Sequence, residues 1–151
     1  MAADGPTALE ISVREFLERY ARFFNGALAG TVGTDELADL YAAEFIAAGP
    51  AGVMTGKNDE RLEQVMAQGY ARYRALGTKA MRIRDVRITP IDERHCLAHV
   101  AWTATYARSD RTDLAIEFDV HYLIQILNGT PKVFGWVAGD EEALLREHGI
   151  V

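Results

Sequence analysis

The stretch LAIEFDVHYLIQIL, Leu114–Leu127, decides the fold. Leu114, Ile116, Phe118, Val120, Tyr122, Ile124 and Ile126 occupy one parity, while Glu117, Asp119, His121 and Gln125 occupy the other. Successive side chains of a β-strand leave on opposite faces, so the alternation predicts a long strand with one face against a core or cavity and the other toward water or a partner. The apolar parity carries one hydroxyl, from Tyr122, whereas Glu117, Asp119 and His121 all point the other way. The stretch therefore informs about architecture more than about reaction.

Working outward, the strand before it runs from about Cys96 to Arg108, with Ala98, Val100, Trp102, Ala104 and Tyr106 on one parity and His99, Thr103 and Thr105 on the other. A short connection around Asp110 joins the two. Asn128-Gly129 is the dipeptide most favoured in a tight hairpin, and it leads into a last strand, Lys132 to Ala138. Asp140 is placed to cap a closing helix that ends near Gly149. Upstream, Met81 to Pro90 alternates imperfectly, which predicts a twisted or bulged strand and leaves the direction of Arg82 and Arg84 open.

Helical periodicity dominates the first half. Thr7 and Glu10 form a capping box ahead of Leu9, Val13, Phe16, Leu17, Tyr20, Phe23, Phe24 and Ala27, a broad apolar stripe that ends around Gly26 and Gly30. Thr34 is expected to cap a short second helix with Leu37, Leu40 and Tyr41 on its apolar side. The segment GPAGVMTG, Gly49–Gly56, reads as a loop or bent edge segment. Asn58 is expected to cap a third helix with Leu62, Val65, Met66, Gly69, Tyr70 and Tyr73 as its stripe and Gly77 as its end. Three helices followed by an antiparallel meander predict an α+β roll: a curved antiparallel sheet wrapped around about three N-terminal helices, enclosing a cone-shaped space. One domain over residues 1–151 is expected, with residues 1–6 flexible.

Composition narrows the function classes. Sixteen basic against twenty-two acidic residues give a net charge of −6, which disfavours a nucleic-acid backbone as partner. Cys96 is the single cysteine, so neither an intrachain disulfide nor a thiolate cage is indicated. No apolar run has the length of a membrane span and the start lacks a signal-peptide pattern, so a cytoplasmic protein without membrane association is expected. GPAG lacks the strand and lysine of a phosphate loop, and no cofactor is signalled.

The order of elements resembles the nuclear transport factor 2-like superfamily, which includes ketosteroid isomerases, SnoaL-type cyclases, scytalone dehydratase and limonene epoxide hydrolase. FLERYARFFNGAL on the first helix, LADLYAAEFIAAGPAG after it, and FDVHYLIQILNG running into KVFGWVAGD carry the resemblance, which spans Thr7 to Gly139. It implies a hydrophobic pocket between helices and sheet, here lined by Tyr20, Phe24, Trp102, Tyr106, Phe118, Val120, Tyr122 and Trp136, and an outer sheet face that pairs with a second copy. Tyr20 matches the isomerases' oxyanion donor. Their aspartate base precedes a proline, and here Gly49 precedes Pro50; their second acid precedes a histidine, and here Val120 precedes His121. A donor without a base lacks a contribution of roughly 10²–10⁴-fold, so the family's isomerisation is disfavoured.

The expected ligand is a small, largely apolar cyclic molecule such as a cyclic ketone, polyketide or terpenoid. If there is turnover, an isomerase, cyclase or dehydratase step using Tyr20 is the first class to test. The competing expectation is a non-catalytic dimeric interaction module with a filled cavity. Asp119, His121 and His99 share the outer parity; a polar network across a homodimer interface is preferred there over a metal site. Tyr70 and Tyr73 are read as core.

Overall fold

The computed structural model describes residues 5–108 and 112–151; residues 1–4 of the expected flexible start and the connection around Asp110 lie outside them. The elements are α1 (Ala8–Ala29), α2 (Thr34–Ala38), β1 (Tyr41–Gly49), β2 (Gly52–Lys57), α3 (Glu60–Leu76), β3 (Thr78–Pro90), β4 (His95–Tyr106), β5 (Leu114–Leu127), β6 (Thr130–Ala138) and α4 (Glu141–Glu147). The strands form one mixed sheet in the order β2-β1-β6-β5-β4-β3. The fold class is α+β, a curved sheet with helices packed on one side. No described helix is long and apolar enough to cross a membrane.

Local chemistry explains most of these boundaries. The Thr7 hydroxyl accepts from the Glu10 amide at 3.2 Å and starts α1. Asp140 caps α4 through the Ala143 amide. Asn128 and Gly129 adopt φ of 53° and 77°, the left-handed pair that closes the β5–β6 hairpin with the twist of its strands. The β4–β5 register places Val100 opposite Val120 and Trp102 opposite Phe118 on the helix side, and His99 opposite His121 on the outer side. Asn25 fixes α1 on the sheet: its side-chain amide donates to the Met81 carbonyl and its oxygen accepts from the Met81 N–H, both at 2.8 Å.

Several expectations are corrected. The sheet is not a purely antiparallel four-strand meander, because β1 and β2 add a hairpin whose β1 runs parallel to β6. Gly49–Gly56 is the tip and return arm of that hairpin, and Tyr41 opens β1 instead of closing α2. The alanines and glycines of this hairpin give no alternating pattern to read, and its strands are set by pairing onto an edge. Gly33, not Thr34, holds the N-cap position of α2. Asp59 caps α3 through the Arg61 amide, while Asn58 donates to the Ala38 and Tyr41 carbonyls and ties α2 to β1. Val65 points to solvent. The imperfect alternation of β3 is a bulge: pairing jumps from Ile83–Trp102 to Asp85–Ala101, leaving Arg84 as the extra residue. Arg82 is exposed, in register with the outer-face Thr103, and Arg84 reaches outward to Glu117 and Asp119.

Candidate functional site

The concave side of the sheet, α1, α3 and the start of α4 enclose a cavity of about 550 Å³. Its floor is set by alternation. Trp102 on β4 and Tyr122 on β5 point inward as their parities require, and both are nearly fully buried, at 1% and 5% exposure. The Trp102 indole N–H donates to the Tyr122 hydroxyl at 3.1 Å. Tyr20, on the buried stripe of α1, brings its hydroxyl to within 2.6 Å of the Tyr41 hydroxyl, and its ring meets that of Tyr122 edge-on at 5.4 Å. Burial pushes the Tyr20, Tyr41 and Tyr122 hydroxyls far above the ordinary phenol range. They are neutral at any physiological pH, and act as hydrogen-bond donors and acceptors rather than as bases.

The helix-side wall comes from α3. Tyr70 and Tyr73 lie three residues apart on one helix face, and both pack against Phe24 of α1, with ring centroids at 4.9 and 5.7 Å. Gly69 stands beside them, and a Cβ built there meets nothing within 4 Å. Trp136 closes the β6 side, stacked on Phe45 at 5.3 Å.

Of the eight predicted lining residues, the cavity brings together Tyr20, Phe24, Trp102, Phe118, Val120, Tyr122 and Trp136. Tyr106 is not among them: it is buried opposite Thr78 in the β3–β4 pairing, beyond the cavity's end. Sequence reading missed Tyr41, which it placed on α2, and treated Tyr70 and Tyr73 as core. It also missed Glu141. That carboxylate opens α4 directly after β6, and the Asp140 cap was the available signal, since a helix starting there must place its first turn beside the end of the strand.

Glu141 borders the cavity and also a second depression outside it, shared with Arg72, Pro50 and Glu142. The residue is exposed to the open end of the cavity, yet the protein crowded about its carboxyl raises the pKa; the facing Tyr73 hydroxyl and then Arg72 partly offset this. Such a carboxylate can accept a proton or pair with a cation. Glu117 and Asp119 reach the cavity where β5 runs past its last β6 partner, the Val120–Ala138 pair. Their carboxylates lie on the outer face, 3.8 and 3.6 Å from Arg84. There the His99 ring also meets Asp119 at 2.9 Å and stacks on His121 at 4.2 Å. Among the described residues no group of three or more His, Cys, Asp and Glu side chains is arranged to hold a metal ion.

A curved sheet closed by helices over an internal cavity is the architecture of NTF2-like, cystatin-like proteins. The chain belongs to the family NTF2-like protein (DUF6841), whose model matches residues 10–141. Among solved structures it is similar to Aln2 from a Streptomyces species, at 16% identity and TM-score 0.69, covering 94% of this chain and 98% of that one. The beta subunit of benzoate 1,2-dioxygenase from Burkholderia mallei is similar at 16% identity and TM-score 0.64, with 95% and 96% covered. An NTF2-like protein with a cystatin-like fold from Novosphingobium aromaticivorans gives 14% identity and TM-score 0.65, with 89% and 86% covered. These likenesses show the fold. No curated protein matches the chain.

Proposed function

We propose that this chain binds a small, largely apolar cyclic molecule in the cavity; the floor supplies the carbonyl-polarising donor of an isomerase, cyclase or dehydratase step but no base, so any such step takes its base from outside the floor's neutral hydroxyls. The observation carrying this reading is the combination of an aromatic-lined space of about 550 Å³ with neutral hydroxyls at its base. Ligand pockets have that volume and that mixture of apolar wall and few polar groups. With the Tyr41 hydroxyl donating to Tyr20, the Tyr20 proton is left for a carbonyl placed against it, and charge developing on that oxygen meets a pre-oriented donor. An open volume of this size also favours the ligand reading over an interaction module with a filled cavity. The outer face, with the His99–Asp119 pair and with His121 in register with the exposed Val137, is the surface we assign to a second copy of the chain.

The test is a thermal-shift screen of steroid-like and polycyclic compounds with Tyr20→Phe and Trp102→Ala as controls. A compound that stabilises wild type and loses its shift in both variants supports the reading. Shifts unchanged in both remove the cavity floor from the binding site.

A further inference from the structure

We propose that the ligand of this cavity carries a cationic centre, an amine or quaternary ammonium attached to an apolar ring, with the ring on the aromatic floor and the cation held by aromatic side chains and Glu141. This rests on the ligand-pocket reading above and adds the ligand's charge to it.

The first observation is the lining. Nine of the residues around the cavity are aromatic, and Tyr73, Tyr70, Phe24 and Trp136 stand on its helix and β6 walls. Aromatic π-systems attract cations, and the attraction strengthens as water is excluded. The second is the sign of the charged lining. Glu117, Asp119, Asp140 and Glu141 border the cavity, and no lysine, arginine or histidine does so among the described residues. Three of these carboxylates are already engaged: Glu117 and Asp119 with Arg84 on the outer face, and Asp140 with the amide that it caps. Glu141 is different. Arg72, the nearest cation on α3, is ion-paired with Glu142, and Glu141 faces the Tyr73 hydroxyl. The Tyr73 hydroxyl is neutral and Arg72 offsets the Glu141 charge only in part, so the remainder is left for a ligand. The third is what other ligands would meet. An anion would enter beside carboxylates with only phenols to receive it, whereas a cation relieves the cost of keeping Glu141 charged in a crowded site. The chain's net charge of −6 adds long-range attraction of the same sign.

The experiment compares two probes of equal shape, phenyltrimethylammonium and tert-butylbenzene, in fluorescence titrations of the full chain that follow Trp102 and Trp136. The cation should bind about tenfold more tightly than its neutral counterpart. Glu141→Gln, which keeps the side chain's shape, should erase most of that preference, and Gly69→Leu, which adds four carbons to the α3 wall beside Tyr70 and Tyr73, should weaken binding of both. Tighter or equal binding of tert-butylbenzene overturns the charge assignment and leaves the pocket reading standing. A preference unchanged in Glu141→Gln, or ammonium binding unchanged in Gly69→Leu, also overturns it, since the cation is then held elsewhere. Failure of both probes, the ammonium at millimolar concentration and the hydrocarbon at saturation, removes both readings.

Discussion

Tyr122→Phe removes one oxygen from the cavity floor and changes no other atom. That oxygen accepts the Trp102 indole N–H at 3.1 Å, and Trp102 is only 1% exposed. Without it a buried donor has no partner, which costs about 1–3 kcal/mol, more than the roughly 0.5–1.5 kcal/mol net value of an ordinary hydrogen bond. The loss also frees the Tyr20 hydroxyl on which Tyr122 acts. For a chain of this length, a loss of about 2 kcal/mol lowers Tm by roughly 4–8 °C. Urea denaturation monitored by tryptophan fluorescence measures the free energy directly, and calorimetry measures Tm. Tyr70→Phe is the matched control: its ring also lines the cavity, and no hydrogen bond of its hydroxyl is found among the described residues, so a change within about 0.5 kcal/mol is expected. If Tyr122→Phe is as mild as Tyr70→Phe, water reaches the indole from the cavity, and the floor is not the dry, pre-oriented surface described above.

Two further outcomes follow from the same geometry. Crowding raises the Glu141 pKa above its ordinary value of 4.5. The native state then holds this proton more tightly than the unfolded chain, so the group's stabilising contribution is present at low pH and is lost as pH rises through the raised value. Tm of Glu141→Gln minus Tm of wild type should therefore increase as pH rises upward from 4.5, and parallel Tm curves for the two proteins would refute this. Asp119→Lys places a cation beside Arg84 and His99 on the outer face. It should shift sedimentation toward monomer if that face joins two copies, and an unaltered profile would remove the face from the interface.

The parts of the fold legible in the sequence were those governed by local rules. The alternation of Leu114–Leu127, the Asn128-Gly129 turn and the Thr7 and Asp140 caps each depend on a few neighbouring residues, and each appears as expected. The β1–β2 hairpin was illegible because its alanine- and glycine-rich strands take their conformation from pairing with β6, a contact across more than eighty positions of chain. Arg84 was undecidable for a related reason. One inserted residue reverses parity, and only the β4 register locates it, between Ile83 and Asp85. Parity gave the face of the β4 and β5 aromatics and the family resemblance gave the cavity they border, whereas Tyr41 and Glu141 were missed because each lies at a junction where one element hands over to the next. Tyr106 was over-assigned: inward parity places a side chain on the correct face but does not say how far along that face the cavity extends.

Gly69 offers the most direct examination of the cavity as a binding site. A glycine in the interior of α3 is unfavourable by about 1 kcal/mol relative to alanine, and the space it leaves opens onto the cavity. Because an added Cβ meets nothing within 4 Å there, Gly69→Leu should fold at least as stably as wild type while narrowing the cavity. The decisive measurement is the thermal shift produced in both proteins by a polycyclic compound that stabilises wild type. The lost glycine predicts a higher Tm for unliganded Gly69→Leu, and binding in the cavity predicts a smaller ligand-induced shift in it. An equal shift in the two proteins, with the variant fully folded, would place the ligand outside the cavity and contradict the proposed function.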